Sequence, residues 1–448
     1  MKHLHEYQLK IIKRIEEKER NACWLDCGLG KTIITLTAIR NLLDAGKVHK
    51  VLVVAPKGIA ENVWRQEAGM WEHTKSLRVQ LVLGTEKQRL KALYADADIY
   101  VVSRDNMHWL FQQEAFRADM LVIDESTSFK DRSTRRWASL MQSSITVGSK
   151  KLRRKQPMIE MFKRVLLLSG TPASESYQGL WAQIAILCQH DNPLGKTISA
   201  FRMQYMIPQM IKGYPVYIEM QHGAIDRINR KLEGLCISMK SEDYLQLPDK
   251  IDIARKIKFE DKLYKKMEKD GVVSIDGVDI TAGDALTKYS KMQQITAGFI
   301  YDEDKTAHAL NKCKLEALQE ILEGTDEAVL VMYRYEYEKQ QLMSLGAVPL
   351  ESPDAIQKWQ QGKIKVGLLF PSCAYGLNIQ QGSIMIWYTL PLSLEQYIQS
   401  VRRLWRQGQQ KPVRVYHLLC TGTIDEHIYH LLQEKKDVLN GLMEYFKN

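Results

Sequence analysis

The stretch CWLDCGLGKTIITLTAIRNLL, residues 23–43, decides how the first part of this chain folds. An apolar segment runs into a glycine loop and the loop opens a helical pattern, which is the order of strand, loop and helix that phosphate binding needs. Glycines let backbone amides approach phosphate oxygens, and the start of a helix adds the positive end of its dipole. A plain glycine turn before a helix is the alternative, because Leu25 replaces the leading glycine of the full G-x-x-x-x-G-K-T pattern.

The loop supplies candidate ligands for the phosphates of ATP and for Mg²⁺. Lys31 can reach the β and γ phosphates, and the hydroxyl of Thr32 can hold the metal ion. The residues that we predict to bind the nucleotide here are Gly28, Leu29, Gly30, Lys31 and Thr32.

An acidic pair follows a second apolar segment, MLVIDES from Met120. Carboxylates at the carboxyl end of a parallel strand face the ligand crevice of an α/β sheet. Asp124 is therefore predicted to bind Mg²⁺, and Glu125 to orient or deprotonate the attacking water. Acidic residues after a strand are also common helix N-caps, which is the structural alternative.

Short aliphatic runs, each followed by a helical pattern, recur along the chain and predict an α/β fold with parallel sheets. Strands that are apolar along their whole length are typical of sheets covered by helices on both faces. This alternation of strand and helix patterns occurs in two series along the chain, so we expect two similar α/β lobes. The first series is VLVVAP from Val51, IYVVS from Ile99, MLVIDE from Met120 and VLLLSG from Val165, and the second is AVLVMY from Ala328, VGLLFP from Val366, IMIWYTL from Ile384 and VRVYHLL from Val413.

The two lobes are predicted to cover residues 1–247 and 248–448, with the linker near Pro248. A helical insertion is expected in each lobe, at about 180–245 and about 261–324. The tail from Thr423 has apolar residues at helical spacing, so it is expected to pack back on the lobes as a helix, with partner binding as the alternative.

Composition narrows the class of protein without deciding its function. Hydrophobic residues make up 45% of the chain and charged residues 26%, as in a soluble globular protein. No apolar run is long enough to span a bilayer and the N-terminus has no signal-peptide core, so we expect a cytoplasmic protein. Seven scattered cysteines without a C-x-x-C pair argue against zinc and disulfides. A formal charge of +10 favours a polyanionic partner only weakly.

In the first lobe, ordered motifs resemble those of superfamily II helicases, and within them the Swi/Snf-like double-stranded DNA translocases. LHEYQ from Leu4 resembles the family's glutamine motif, which implies that Gln8 contacts the adenine. LVVAPKG from Leu52 resembles motif Ia, and DESTSFKD from Asp124 resembles motif II. LSGTPASES from Leu168 resembles motif III, in which Ser169 and Thr171 couple the ATP site to DNA contacts.

The second lobe continues the resemblance. AVLVMYRYEYE from Ala328 is similar to motif IV, and LLFPSCAYGLNIQQGS from Leu368 is similar to motif V, with Gly376 on the loop facing the cleft. YIQSVRRLWRQGQQ from Tyr397 follows motif VI, which implies arginine-finger roles for Arg403 and Arg406 and places Gln399 at the same site. The chain departs from the family's motif VI at Arg402, where the family has Asp, and at Trp405, where it has His.

The resemblance implies a fold of two RecA-like lobes with a C-terminal bracing helix, and a monomer that uses ATP and Mg²⁺. The implied activity is nucleic-acid-dependent ATP hydrolysis with translocation on double-stranded DNA and remodelling of DNA or protein–DNA complexes, in a minimal motor of the phage or bacterial type. A strand-separating DNA or RNA helicase and a non-catalytic nucleic-acid clamp are the alternatives. The basic run SKKLRRK from Ser149 could face phosphates or be a solvated loop.

Overall fold

The computed structural model describes residues 3–189, 191–211, 214–275, 277–374 and 379–447. The chain divides into two compact units, one comprising Met1–Leu245 with Asp437–Asn448 and the other Gln246–Lys436. Each unit is built on a parallel sheet of its own, so the predicted α/β class is confirmed.

The first unit contains a seven-stranded sheet with two separate hairpins. Its strands are β1 (Arg20–Leu25), β2 (Val51–Ala55), β3 (Val79–Val82), β4 (Ile99–Ser103), β5 (Met120–Asp124), β6 (Ser144–Val147), β7 (Lys150–Arg153), β8 (Arg164–Ser169), β9 (Met206–Ile211), β10 (Tyr214–Met220) and β11 (Cys236–Met239). The sheet order is β11-β1-β8-β5-β2-β4-β3 with every pairing parallel. β6–β7 and β9–β10 are antiparallel hairpins outside it.

Helices cover both faces of this sheet, which is why its central strands are buried along their whole length. They are α1 (Glu6–Glu17), α2 (Lys31–Asp44), α3 (Lys57–Asn62), α4 (Trp64–Met70), α5 (Glu86–Leu93), α6 (Met107–Phe111), α7 (Arg135–Met141), α8 (Gln178–Cys188), α9 (Ile198–Tyr205), α10 (Ala224–Leu232) and α11 (Ser241–Tyr244). Among the described helices of the whole chain, none has the length and apolar character needed to cross a membrane.

The second unit contains a six-stranded parallel sheet with two separate antiparallel hairpins. Its strands are β12 (Lys250–Ile257), β13 (Val272–Ile275), β14 (Val278–Thr281), β15 (Phe299–Tyr301), β16 (Ala307–Ala309), β17 (Val329–Met332), β18 (Val348–Pro349), β19 (Val366–Leu369), β20 (Ile384–Trp387) and β21 (Val413–Cys420). The sheet order is β12-β21-β20-β17-β19-β18. Its helices are α12 (Lys262–Asp270), α13 (Ala285–Thr296), α14 (Cys313–Glu323), α15 (Glu336–Ser344), α16 (Pro353–Gln360), α17 (Leu394–Leu404) and α18 (Ile424–Tyr445).

The two insertions predicted to be helical are mixed, so that prediction was wrong in part. Residues 180–245 contain the hairpin β9–β10 and the sheet strand β11, and residues 261–324 contain β13–β14 and β15–β16. In β9–β10, prolines at 208 and 215 remove backbone donors that a helix needs, and the neighbouring residues are largely β-branched or aromatic. These strands are too short for their alternation of polar and apolar residues to be distinguished from the helical patterns on either side.

The C-terminal residues also correct the sequence prediction, which assigned everything after 248 to the second lobe. Residues 437–448 group with the first unit. The ring of Phe446 meets Trp24 of β1 edge-on, with 5.1 Å between centroids, and the amide of Ser238 donates to the Phe446 carbonyl at 2.9 Å. This apolar anchor is the physical reason for the reassignment.

Replacing Phe446 should therefore weaken the first unit. Phe446 is 4% exposed, so Phe446→Ala is expected to lower the free energy of unfolding by about 3 kcal/mol. Urea unfolding followed by tryptophan fluorescence measures the change. Val438→Ala is the matched control, because Val438 is 38% exposed and should be nearly neutral. Equal midpoints for the two variants would contradict the anchoring role.

Candidate functional site

The glycine loop, residues 26–30, joins β1 to α2 in the order predicted from the sequence. Gly28 and Gly30 have φ of +88° and +79°, in the left-handed region where a side chain is strained. Gly30 is the N-cap of α2, and Lys31 and Thr32 are its first two residues. The local arrangement is therefore that of a phosphate-binding loop.

Gln8 of α1 lies directly against this loop. Its Nε2 donates to the Leu29 carbonyl at 3.2 Å, and the hydroxyl of Tyr7 donates to the same oxygen at 3.4 Å. A Cβ on Gly30 would lie 2.5 Å from Gln8 Nε2, so only glycine allows this approach. The structure thus brings Gln8 to the loop, and its contact with the adenine stays a prediction.

Asp26, the first residue of the loop, is held by a segment that the sequence reasoning missed. The hydroxyl of Ser241 donates to Asp26 Oδ2 at 2.8 Å, and the Cys27 amide donates to Oδ1 at 2.9 Å. The ring of Tyr244 lies 4.8 Å from that of Tyr7. Because 215 residues separate Ser241 from Asp26, no local pattern could have revealed this contact.

The acidic pair lies where β5 ends, at the carboxyl edge of the sheet. Asp124 Oδ2 accepts a hydrogen bond from Trp64 Nε1 at 3.2 Å, and Oδ1 accepts one from the Glu125 amide at 3.1 Å. Each acid is 5% exposed. Glu125 has φ of +52° and precedes a short 3-10 turn, but its side chain does not cap that turn. The helix-cap alternative is therefore wrong for Glu125.

Buried charges in this site influence one another. Burial lowers the pKa of Lys31, but the negative charges around it, Glu125 and Asp124 among them, outweigh burial and raise that pKa above its ordinary value. Burial, followed by the charge of Glu125, raises the pKa of Asp124 to about 6. Lys31 Nζ donates to the Leu25 carbonyl at 3.0 Å. The site thus keeps a cation beside two carboxylates.

These residues fit Mg²⁺ and the phosphates of ATP. Glu125 Oε2 is buried and has no hydrogen-bond partner among the described residues, although a buried acceptor is normally satisfied. Asp124 and Thr32 offer the hard oxygen ligands that Mg²⁺ prefers. A buried carboxylate oxygen without a partner, together with a loop in which Gly28 and Gly30 lack Cβ atoms, is the arrangement expected of a site that receives a ligand.

Gln183 of α8 joins the acidic pair to motif III, and the sequence reasoning missed it. Ser126, next to Glu125, donates its hydroxyl to Gln183 Oε1 at 2.8 Å, and Gln183 Nε2 donates to the Pro172 carbonyl at 2.9 Å. Beside Pro172, the Thr171 amide donates to Ser169 Oγ at 3.0 Å. A glutamine inside the apolar run LWAQIAILC was the available signal, because a buried polar side chain requires partners.

The candidate residues of motif VI lie in the second unit. Gln399 is 2% exposed and its Nε2 has no partner in the described part of the chain. Arg403 lies in the last turn of α17, whereas Arg406 lies beyond the end of that helix. Gly376 of motif V falls outside the described residues. The arginine-finger roles stay predictions.

The two departures from motif VI contact each other. The guanidinium of Arg402 lies 4.2 Å from the centroid of the Trp405 ring, within the range of a cation–π interaction. Trp405 Nε1 donates to the Pro248 carbonyl at 2.7 Å. The substituted pair therefore forms a structural contact that leaves Arg403 in place.

His417 of β21 fixes α17 to the second sheet. His417 is fully buried, and its Nε2 lies 2.9 Å from the hydroxyl of Tyr397 on α17. Tyr397 also donates to Asp252 Oδ1 at 3.4 Å. Burial lowers the pKa of His417 to about 4. These contacts give His417 a structural role in the second unit.

The stability of the second unit should consequently fall in acid. His417 has an ordinary pKa of 6.5 and a native pKa of about 4. Above pH 6.5 the imidazole of His417 is neutral in both the native and the unfolded state. Between pH 6.5 and 4 this imidazole binds a proton in the unfolded chain and not in the native protein, which costs about 3 kcal/mol of stability. His417→Phe is expected to remove this part of the pH dependence in urea titrations. A slope equal to that of the exposed control His222→Phe would contradict the assignment.

Comparison with known proteins identifies the family of the chain. The model of the SNF2-related domain family matches residues 7–300, more than half of the chain. "Putative protein p41" of Acyrthosiphon pisum secondary endosymbiont phage 1 is 28% identical over 98% of both chains. A Xenopus tropicalis protein named SWI/SNF-related matrix-associated actin-dependent regulator of chromatin subfamily A-like protein 1 is 27% identical, and the match covers 94% of this chain and 43% of that protein.

Among solved structures, the Sulfolobus solfataricus SWI2/SNF2 ATPase core in complex with dsDNA is 18% identical, with 99% of this chain and 93% of that chain covered and a TM-score of 0.46. The chain spans less than half the length of the Xenopus relative, whereas it spans nearly all of the phage protein. Because the family model covers more than half of its residues, the chain belongs to the SNF2-related domain family and is an ATP hydrolase of the Swi/Snf-like group of superfamily II.

Proposed function

We propose that this ATP hydrolase is stimulated by DNA and uses each cycle to translocate on the duplex, displacing or remodelling what is bound there. The observation that carries the catalytic part is the buried Glu125 carboxylate, whose Oε2 lacks a partner among the described residues and which acts electrostatically on Lys31. A non-catalytic clamp would not need this costly pair of charged groups.

The reaction assigned to these residues is attack of water on the γ phosphorus of ATP, which breaks its bond to the β–γ bridging oxygen and releases ADP and inorganic phosphate. Glu125 orients the water and accepts its proton, and the ammonium of Lys31 holds the transferred phosphoryl group. Thr32 and Asp124 would hold Mg²⁺, which supplies neutralisation of charge on phosphate oxygens when it is bound. Gln399, Arg403 and Arg406 are proposed to assist, because planar guanidinium groups suit the charge that develops in the transition state.

DNA is the proposed partner for reasons of charge and family. The chain carries a formal charge of +10, and Lys150, Lys151 and Arg153 are exposed on or beside the hairpin β6–β7 between motifs II and III. Arg154 differs from these, since it donates to the Phe111 carbonyl at 2.7 Å and is structural. The Xenopus relative is named a regulator of chromatin. These features support DNA as the track of the proposed motor.

ATP hydrolysis should depend on both nucleic acid and the site. Wild type, Lys31→Ala and Glu125→Gln are each assayed alone and with duplex DNA, single-stranded DNA or RNA. Duplex DNA is expected to stimulate the wild type most, and either variant to lose about 10²-fold or more of that rate because a phosphate clamp or the base is removed. Lys47→Ala, at an exposed lysine, should hydrolyse like the wild type.

The same assay separates the alternatives. Stimulation only by single strands or RNA, together with duplex unwinding, would favour a strand-separating helicase. Tight DNA binding without turnover would favour the clamp. Displacement of a triplex-forming third strand, powered by ATP and without unwinding of the duplex, is the positive result for translocation.

Gln183 should matter for turnover more than for nucleotide binding. Gln183→Met keeps the side-chain volume but leaves Ser126 and the Pro172 carbonyl without this partner, and a lost buried hydrogen bond costs about 1–3 kcal/mol. We expect kcat to fall about tenfold while KM for ATP changes less than about twofold, as for a group that positions the transition state. An effect no greater than that of Gln112→Met, at an exposed glutamine, would show that Gln183 does not couple the two motifs.

A further inference from the structure

Trp64 joins the packed interior of the first unit to the acidic pair. It begins α4 and is fully buried. Its indole Nε1 donates a hydrogen bond to Asp124 Oδ2 at 3.2 Å. An indole has one donor and no acceptor, so this bond uses the whole hydrogen-bonding capacity of the side chain. A large and otherwise apolar side chain thus makes its polar contact on a residue that we propose to bind Mg²⁺.

The Asp124 carboxylate is held by two donors from different parts of the unit. The Glu125 amide, next to it in the chain, donates to Oδ1 at 3.1 Å, whereas the indole that donates to Oδ2 lies 60 residues earlier in the sequence. The χ2 torsion of an aspartate has broad preferences, so hydrogen bonds rather than an intrinsic rotamer fix the plane of its carboxylate. Because the bond between Trp64 and Asp124 is buried, water is poorly placed to replace the indole if that donor is lost.

Regular elements hold Trp64 in place. Its helix, α4, packs against α2, the helix that follows the glycine loop. The preceding residue, Val63, donates its amide to the Ile59 carbonyl at 3.0 Å, and its carbonyl accepts from the Glu67 amide at 2.8 Å. β2, which leads into this segment, pairs directly with β5, the strand that ends at Asp124. A donor supported by a helix and a sheet can set the direction of a carboxylate more accurately than a donor on a loop.

Packing alone does not explain why this donor meets a carboxylate. Two other buried indoles, those of Trp109 and Trp387, have no partner for Nε1 in the part of the chain that the structure describes. A buried indole therefore need not find an acceptor to be accommodated in this fold. The N–H group of Trp64 reaches a carboxylate, and hydrogen bonds to ionised groups are among the stronger ones. The contact is consequently better explained by the function of the acid than by the demands of burial.

We propose that Trp64 is a positioning residue for the metal ion, because its indole N–H holds the Asp124 carboxylate in the orientation that binds Mg²⁺ together with ATP. This role rests on the proposed function, in which Asp124 is a metal ligand, and it adds a residue that acts through that ligand. Partners that orient metal ligands typically contribute about 10–100-fold to metal affinity. Mg²⁺ and nucleotide change each other's affinity by the same factor, so loss of this orientation should weaken the coupling between them.

The first test measures binding of a fluorescent ADP analogue, methylanthraniloyl-ADP, to the full-length protein by anisotropy, once with Mg²⁺ and once with EDTA. It compares the wild type with Trp64→Phe, which keeps an aromatic ring and lacks the N–H group. The matched control is Trp71→Phe, because Trp71 Nε1 donates to Glu67 Oε1 at 3.0 Å, an indole-to-carboxylate bond outside the acidic pair. Mg²⁺ is expected to tighten binding by the wild type and the control. Trp64→Phe is expected to lose about tenfold of that tightening while its affinity in EDTA stays unchanged.

Hydrolysis gives a second measurement of the same role. With duplex DNA and saturating ATP, Trp64→Phe is expected to need about tenfold more Mg²⁺ for half of its maximal rate, and kcat to return towards the wild-type value at high Mg²⁺. A variant with a damaged fold would not be rescued by the metal ion. If circular dichroism shows that Trp64→Phe is unfolded, β-(3-benzothienyl)alanine at position 64 is used in both tests, because it keeps both rings and has sulfur in place of the N–H group.

Three outcomes would overturn the positioning role. One is a folded Trp64 variant in which Mg²⁺ tightens nucleotide binding as much as in the wild type. A second is an equal loss of affinity in Mg²⁺ and in EDTA, because it would show a general disturbance of the nucleotide site. A third is a wild type whose nucleotide binding does not respond to Mg²⁺, which would overturn the metal site as well. Failure of the motor itself would be recognised separately, as hydrolysis that no nucleic acid stimulates.

Discussion

The first unit depends on the conformation of one short loop. Gly28 and Gly30 turn the backbone through the left-handed region so that α2 can begin at Lys31. Three distant parts of the chain then come to the same loop: Gln8 from α1, Ser241 from α11, and Gly170, at which an added Cβ would lie 3.3 Å from the Leu25 carbonyl. The loop is thus preorganised by long-range contacts, which reduces the ordering that a bound phosphate has to impose.

The preorganised site also contains features that lower the stability of the fold. Glu125 combines a left-handed backbone with a buried carboxylate oxygen that lacks a partner among the described residues. A non-glycine residue in that region costs about 1–3 kcal/mol and persists when the surrounding structure imposes it. Here the surroundings are the hydrogen bond between Ser126 and Gln183 on one side and the amide contact with Asp124 on the other. The strain is localised at the residue that we propose to orient the attacking water.

The sequence alone predicted those features that depend on the order of neighbouring residues along the chain. The glycine loop and the acidic pair could be located because each follows a buried strand and because their residue types suit phosphate and metal chemistry. Contacts between residues far apart in sequence could not be predicted in this way. Ser241 meets Asp26 across 215 residues, and Phe446 meets Trp24 across most of the chain. The hairpin β9–β10 was interpreted as helical because short strands between helices give too few alternations to be separated from a helical pattern.

The two departures from the family pattern in motif VI contact each other in the structure. In the sequence, Arg402 and Trp405 each replace a residue that is typical of the family at that position. In the structure they are one interaction, with the guanidinium on the indole and the indole N–H on the carbonyl of Pro248 at the start of the second unit. The position of α17 is further fixed by Tyr397 and His417. Arg403 lies in the last turn of α17, so the departure changes the contacts around the motif without removing the residues that we propose to assist hydrolysis.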